Sequence, residues 1–212
     1  MTDRAALDDG QPEAALPVVE PSLAPPSHGR SARDFWVFAY GSLIWNPGFS
    51  FREKAIATLR GWHRAMCILS THYRGCHHTP GLVLGLDHGG SCRGVAYRVD
   101  PEQAATVKDY LDSRELITGV YHARVIPVTL LDGRRVDAYV YIAKRGHSQY
   151  AGILPPEAAA GLIRQGCGKG GTSRDYLAST VRHLEALGLR DRTLDRLLKI
   201  VDGRETNHIN SI

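Results

Sequence analysis

From residue 35 to about residue 144 the chain is written in short apolar runs broken by glycine, and after residue 150 it turns helical. The runs are "FWVFAY", "ATLRGWHRAMCIL", "GLVLGLD", "CRGVAYRV", "HARVIPVTLL" and "RRVDAYVYIA". Their β-branched and aromatic content reads as strands, and Asp132-Gly133 between the last two is a hairpin turn. One helix interrupts the series. Asp100, Pro101 and Gln103 supply an N-cap, a proline at the first helical position and a capping-box partner for "PEQAATVKDYLDSREL". Beyond residue 150, "PPEAAAGLIRQ" precedes a Gly-rich loop, and "SRDYLASTVRHLEALGL" follows with Leu177, Val181 and Leu184 on one stripe. The last helix, "RTLDRLLKIV", places Leu194, Leu197, Leu198 and Val201 at helical spacing. Strands first and helices after predict an α+β fold, a curled sheet or small barrel flanked by helices.

The 212 residues suit one domain. Residues 1–30 differ from the rest: they hold five of the eleven prolines, no aromatic residue, and five acidic against two basic side chains. Such a segment cannot bury enough apolar area to offset its ordering entropy, which predicts a disordered tail. The folded domain is expected over residues 31–205, with a short C-terminal tail at 206–212. Residues 31–212 carry 24 Lys and Arg against 17 Asp and Glu. That balance suits an anionic ligand, or else is ordinary solubilising charge, since no block of five basic residues occurs. No aromatic-plus-basic platform or helix-turn-helix pattern supports nucleic-acid binding. No apolar run approaches the roughly 18–20 residues of a membrane span. The N-terminus lacks a secretory pattern, so the cytoplasm is the expected location. Cys67, Cys76, Cys92 and Cys167 show no paired framework and read as reduced thiols.

Three familiar chemistries fail on spacing. "GCGKGGTS" lacks the first glycine of a phosphate-binding loop, has Gly170 where Ser or Thr is needed, and follows a helix. It reads as a loop between helices, with Thr172 or Ser173 capping the next one. "HYRGCHH" gathers His72, Cys76, His77 and His78, yet no second ligand pair stands at a zinc-like spacing, and no metal is expected. A Gly-x-Ser-x-Gly nucleophile elbow is absent around Ser42 and Ser91.

Two features remain. With about 100° per residue, Glu115 falls on the stripe of Ala104, Val107 and Leu111. Either a carboxylate enters the core side with a raised pKa, or it sits at a frayed helix end in water or paired with Arg114. Spacing alone favours the second. The other is "VFAYGSLIWNPGF", where an apolar run breaks at Gly41-Ser42. This is either a structural bulge or a turn whose consecutive N–H groups form an anion-binding concavity.

"VFAYGSLIWNPGF", "GWHRA", "GLVLGLD", "GVAYRV", "SRELITGVY" and "TSRDYL" occur in an order and spacing that resembles the ChaC-type γ-glutamylcyclotransferases acting on glutathione. The likeness spans roughly residues 35–201. It implies a small mixed β-barrel with flanking helices, and a lyase without cofactor that releases 5-oxoproline and cysteinylglycine. By motif it implies that Tyr40, Gly41, Ser42 and Leu43 form the substrate-binding loop and that Glu115 is the catalytic acid/base. Ala39 stands where the ChaC branch usually has Gly, as in the sister cyclotransferases of free γ-glutamyl amino acids. Arg74 and Tyr176, with Tyr121, Tyr139 and Tyr141, are candidates for the peptide end of the substrate; for Tyr176 the other reading is a tyrosine packed on the core.

The implied chemistry suits these residues. The α-amine of a γ-glutamyl group attacks its own side-chain amide carbonyl, so no Ser or Cys nucleophile is required. A base is required, because the amine is largely protonated near neutral pH, and a half-buried Glu can take that proton and return one to the leaving nitrogen. Backbone N–H groups at Gly41-Ser42 can meet a carboxylate or a developing oxyanion. The alternatives are a cyclotransferase for free γ-glutamyl amino acids or γ-glutamylamines, and a catalytically silent γ-glutamyl sensor.

Overall fold

Strand β1 (Phe35–Ala39) has almost no surface: Trp36, Val37, Phe38 and Ala39 are each at most 3% exposed. An apolar run without alternation is what a strand needs when one face looks into a closed sheet and the other is covered by helices. The computed structural model describes residues 34–204, so the expected tails at 1–30 and 206–212 lie outside the described residues.

β1 pairs antiparallel with β3 (Gly81–Val99) and parallel with β5 (Arg135–Ala143). β2 (Glu53–Ser70) joins β3 to β4 (Tyr121–Leu130), and β4 returns to β5, closing a five-stranded barrel in the order β1-β3-β2-β4-β5. The barrel is mixed, with one parallel pair. Pro127 is accommodated because β4 pairs with β2 only from Val128 onward, so no ladder bond is lost at the proline. The Asp132-Gly133 turn forms as expected, with Gly133 at φ +91.

"GLVLGLD" and "CRGVAYRV", read as two strands, are one. Gly89 and Gly90 adopt φ of +99 and +69 and let β3 bend without ending. Opposite them Gly61 has φ +83, and the register slips between Arg60 and Trp62. Glycines on both strands take left-handed conformations closed to other residues, so the hairpin turns a corner as a unit.

Helix α1 (Ala104–Glu115) follows a 3-10 turn at Pro101–Gln103, where the Asp100 carboxylate accepts from Glu102 N–H. α2 (Pro156–Gln165), α3 (Ser173–Ala186) and α4 (Arg192–Val201) follow the barrel in the chain. The stripes Leu177, Val181, Leu184 and Leu194, Leu197, Val201 are buried, with Leu198 half-buried. Between α2 and α3 the Gly-rich segment forms a miniature hairpin, β6 (Cys167–Gly168) with β7 (Gly171–Thr172), rather than a plain loop. Thr172 is the residue that caps α3, accepting from Asp175 N–H at 3.0 Å. Ser173 Oγ accepts from Leu82 N–H at 3.0 Å and donates to Leu82 O at 2.5 Å, docking the start of α3 on β3.

Candidate active site

Where β1 stops, the chain turns sharply. Gly41 sits at φ −134 and ψ −132, and a 3-10 turn at Ser42–Ile44 follows, in which Ile44 N–H donates to Gly41 O at 2.9 Å. Among the described residues no backbone carbonyl accepts from the N–H groups of Gly41, Ser42 or Leu43. Three consecutive donors without a backbone acceptor are what an anion-binding concavity requires. A Cβ at position 41 would lie 3.0 Å from Tyr176 Oη, so a side chain there presses on that hydroxyl. The turn is held from behind by Arg64, whose Nε donates to Tyr40 O at 2.7 Å and whose Nη2 donates to Arg93 O at 2.7 Å. The remaining guanidinium nitrogen meets Asp191 Oδ2 at 3.1 Å, and the Arg64 side chain is only 5% exposed.

The carboxylate at the other side comes from α1. Val107 and Leu111 anchor the helix in the core, and Glu115 is its last residue. Both sequence readings therefore hold in part: Glu115 is at a helix end and beside Arg114, with Nε 3.1 Å from Oε1, yet the two side chains keep only 21% of their surface. Burial pushes the Glu115 carboxyl above its ordinary range, and the adjacent guanidinium opposes this without cancelling it. Arg114 also reaches the turn, with Nη2 donating to Ser42 Oγ at 2.9 Å and Nη1 to Asn46 O at 2.9 Å. One guanidinium thus ties the carboxylate to the concavity.

Tyrosines fill the space between. Tyr40, Gly41, Ser42 and Leu43 border a cavity of about 40 Å³ with Glu115, and Leu84, Tyr121, Tyr141 and Tyr176 complete it. Burial raises the hydroxyl pKa of Tyr40, Tyr121, Tyr141 and Tyr176, and the Glu115 charge raises each further, so all four remain hydrogen-bond donors at neutral pH. Two of them have fixed partners: Tyr121 donates to Leu84 O at 2.6 Å, and Tyr141 to Asp112 Oδ1 at 2.7 Å.

Six of the eight site residues expected from the sequence meet here: Tyr40, Gly41, Ser42, Leu43, Glu115 and Tyr176. The other two do not border the cavity. Ala39 is fully buried in β1, paired with Val95. Arg74 lies one layer out, its guanidinium 5.6 Å from the Tyr176 ring centre and its Nη1 donating to Gly170 O. Of the further tyrosines named, Tyr139 turns instead to Asp112, at 2.7 Å. Arg64, Leu84 and the bridging role of Arg114 were not found from sequence. Arg64 lies inside "GWHRA", but nothing local says that its side chain crosses to the end of β1. Among the described residues no three His, Cys, Asp or Glu side chains converge as metal ligands do.

The arrangement supports one class of chemistry: an anionic oxygen held on backbone N–H groups, facing a carboxyl poised to exchange a proton. Comparison with known proteins points the same way. Residues 35–204 match the ChaC-like protein family. Over 163 residues the chain is 42% identical to the glutathione-specific gamma-glutamylcyclotransferase of Escherichia coli (strain K12), covering 77% of this chain and 71% of that one. With human glutathione-specific gamma-glutamylcyclotransferase 1 it shares 30% over 206 residues, covering 95% and 91%. The crystal structure of a glutathione-specific gamma-glutamyl cyclotransferase from yeast superposes with a TM-score of 0.75 at 23% identity, covering 84% of this chain and all of that one, a likeness of fold.

Proposed function

The chain belongs to the ChaC-like protein family, and from that premise we propose that it is a lyase, a γ-glutamylcyclotransferase that cleaves glutathione to 5-oxoproline and cysteinylglycine. The observation that carries the reading is the Glu115 carboxyl, held above its ordinary pKa beside three N–H groups without a backbone acceptor. Glu115 takes a proton from the substrate α-ammonium. The freed amine attacks the γ-carbonyl carbon, forming the ring C–N bond, while the carbonyl electron pair moves to oxygen. Collapse of that oxyanion breaks the C–N bond to cysteine as the proton on Glu115 goes to the departing nitrogen. The ring nitrogen then gives its second proton to Glu115, which passes it to the new amine, leaving a neutral lactam and an ammonium. A positioned acid/base of this kind contributes about 10²–10⁴-fold.

The N–H groups of Gly41, Ser42 and Leu43 hold the substrate carboxylate or the oxyanion, where one donor is worth about 3 kcal/mol. The closed tyrosine wall holds the glutamyl chain folded, which supplies the proximity term. The reaction belongs in the cytoplasm on this reading, in keeping with four cysteines that are all unpaired.

Incubation with millimolar glutathione, and in parallel with γ-Glu-Ala, tests the function by mass spectrometry of 5-oxoproline. Product from glutathione, lost in Glu115→Gln, supports both reaction and acid/base. Product from γ-Glu-Ala alone moves the chain to the sister cyclotransferases. No product from either leaves a ligand sensor of the same fold.

A further inference from the structure

Next to the tyrosine-lined cavity lies a larger one of about 460 Å³, bordered by Leu69, Thr71, His72, His77, Ile117 and Thr118. Ser148 and Gln149 also line it. Their linings approach each other along two segments. Glu115 borders the smaller, Ile117 and Thr118 the larger, and two residues of chain span at most about 7 Å. On the hairpin side Leu69 borders the larger cleft and pairs with Leu82, two residues from Leu84 in the smaller.

We propose that this cleft receives the part of the substrate beyond the scissile bond, with His72 and His77 meeting its terminal carboxylate. The inference rests on the γ-glutamyl reading above and adds to it where the peptide end lies. Size is the first argument. A cavity of about 40 Å³ cannot take a whole tripeptide, whereas 460 Å³ falls in the usual range for small-ligand sites, about 300–1,000 Å³.

Chemistry is the second. The cysteinylglycine portion presents an anionic end, and the cleft lining holds two imidazoles and three hydroxyls without a carboxylate. Gln149 uses its amide nitrogen on Leu69 O and Thr71 Oγ1, both at 3.0 Å, which leaves its carbonyl oxygen to accept from a peptide N–H. The histidine loop is held in place independently of these side chains. Lys169 N–H donates to His72 O at 3.3 Å, Gly170 N–H to Tyr73 O at 2.8 Å, and Arg74 N–H to Ser70 Oγ at 3.0 Å. Both imidazoles are exposed, so their removal leaves the backbone frame intact.

The test is steady-state kinetics of the full chain, the His72→Ala/His77→Ala double variant and Thr118→Trp, which fills the cleft. Glutathione is the substrate, and cysteinylglycine and 5-oxoproline are inhibitors. The double variant is expected to raise KM for glutathione about five- to tenfold with kcat within about twofold. Inhibition by cysteinylglycine weakens in parallel, and inhibition by 5-oxoproline does not change. Thr118→Trp produces the same pattern more strongly. Turnover of glutathione with KM and cysteinylglycine inhibition unmoved in both variants overturns the inference and leaves the function standing. No 5-oxoproline from the unmodified chain overturns both.

Discussion

Arg114 donates to Ser42 Oγ at 2.9 Å while its Nε stands 3.1 Å from Glu115 Oε1, so one side chain spans the turn after β1 and the carboxylate ending α1. Its charge is the influence that holds the Glu115 pKa down against burial. Arg114→Ala therefore lets that pKa rise further. Because the base must be ionised to act, the acid limb of kcat/KM moves to higher pH, and each unit of movement costs about tenfold in activity below it. Arg114→Lys restores the limb partly, since it keeps the charge but not the fork. A pH profile of kcat/KM for the three proteins reads this directly; an unmoved limb in Arg114→Ala would show that the pair does not tune the base.

Glu115→Gln separates activity from stability. Turnover falls by about 10²–10⁴-fold. Stability goes the other way. The folded pKa lies above the ordinary 4.5, so the carboxyl favours the fold below the unfolded value, and that contribution is lost as pH rises through the folded one. At pH 7 the ionised Glu115 weakens the fold, and the neutral amide does not. The variant is expected to melt at or above the temperature of the unmodified chain at pH 7. The gap should close as pH falls toward 4. Thermal melts across that range check the sign; a lower melting temperature at pH 7 would contradict a destabilising charge.

Two glycines make a matched pair. At Gly94 a Cβ would lie 2.3 Å from Ala39 O and 2.9 Å from Phe38 Cζ, inside the barrel core. Gly94→Ala is expected to cost about 3 kcal/mol or more, because backbone cannot step aside. At Gly41 the nearest atom is Tyr176 Oη, at 3.0 Å, the end of a side chain rather than backbone. Gly41→Ala should fold with a loss of about 1 kcal/mol yet lose most turnover, since the methyl enters the catalytic cavity. Urea denaturation beside 5-oxoproline release distinguishes the two effects.

What could be read in advance depended on how local the cause was. The strands, the Asp132-Gly133 turn and the stripes of α3 and α4 follow from patterns within about ten residues, and they formed as expected. The joining of two runs into β3 was hidden because Gly89-Gly90 reads as a break. It is a bend only because Gly61 on the partner strand bends with it. In the site, the break at Gly41-Ser42 and the phase of Glu115 marked both positions but left each with two readings, spacing alone favouring a frayed end for Glu115. The family resemblance, not the pattern, pointed to the functional one. Arg64 was not, since its partners Tyr40, Arg93 and Asp191 lie 24, 29 and 127 residues away. The enclosure of Glu115 was equally out of reach. A helical wheel gives the direction of a side chain but not what closes over it, and here the cover comes from Tyr40 and Tyr176 on distant elements.

Asp87 is a buried charge outside the catalytic cavity, 1% exposed on β3. Its carboxylate accepts from Arg145 Nε at 2.7 Å, Tyr150 Oη at 2.9 Å and its neighbour's N–H, that of His88, at 2.8 Å. These bonds fasten the segment after β5, which also carries the Ser148 and Gln149 wall of the larger cleft. Burial alone would raise the Asp87 pKa, but the hydrogen bonds from Arg145, His88 and Tyr150 outweigh it and hold it below the ordinary 3.8. A depressed carboxylate stabilises the fold above the unfolded pKa, and the benefit disappears as pH falls through the folded one. Asp87→Ala, which strands the Tyr150 hydroxyl and leaves a cavity, should cost about 3 kcal/mol at pH 7. Arg145→Ala should cost about 1 kcal/mol or less, because that side chain is 56% exposed and water screens its charge. The Asp87→Ala deficit should shrink as pH falls below 3.8 and the carboxyl it replaces becomes protonated. Urea midpoints at pH 7 and pH 3 measure both quantities, and an Asp87→Ala deficit that grows at low pH would reverse the assignment.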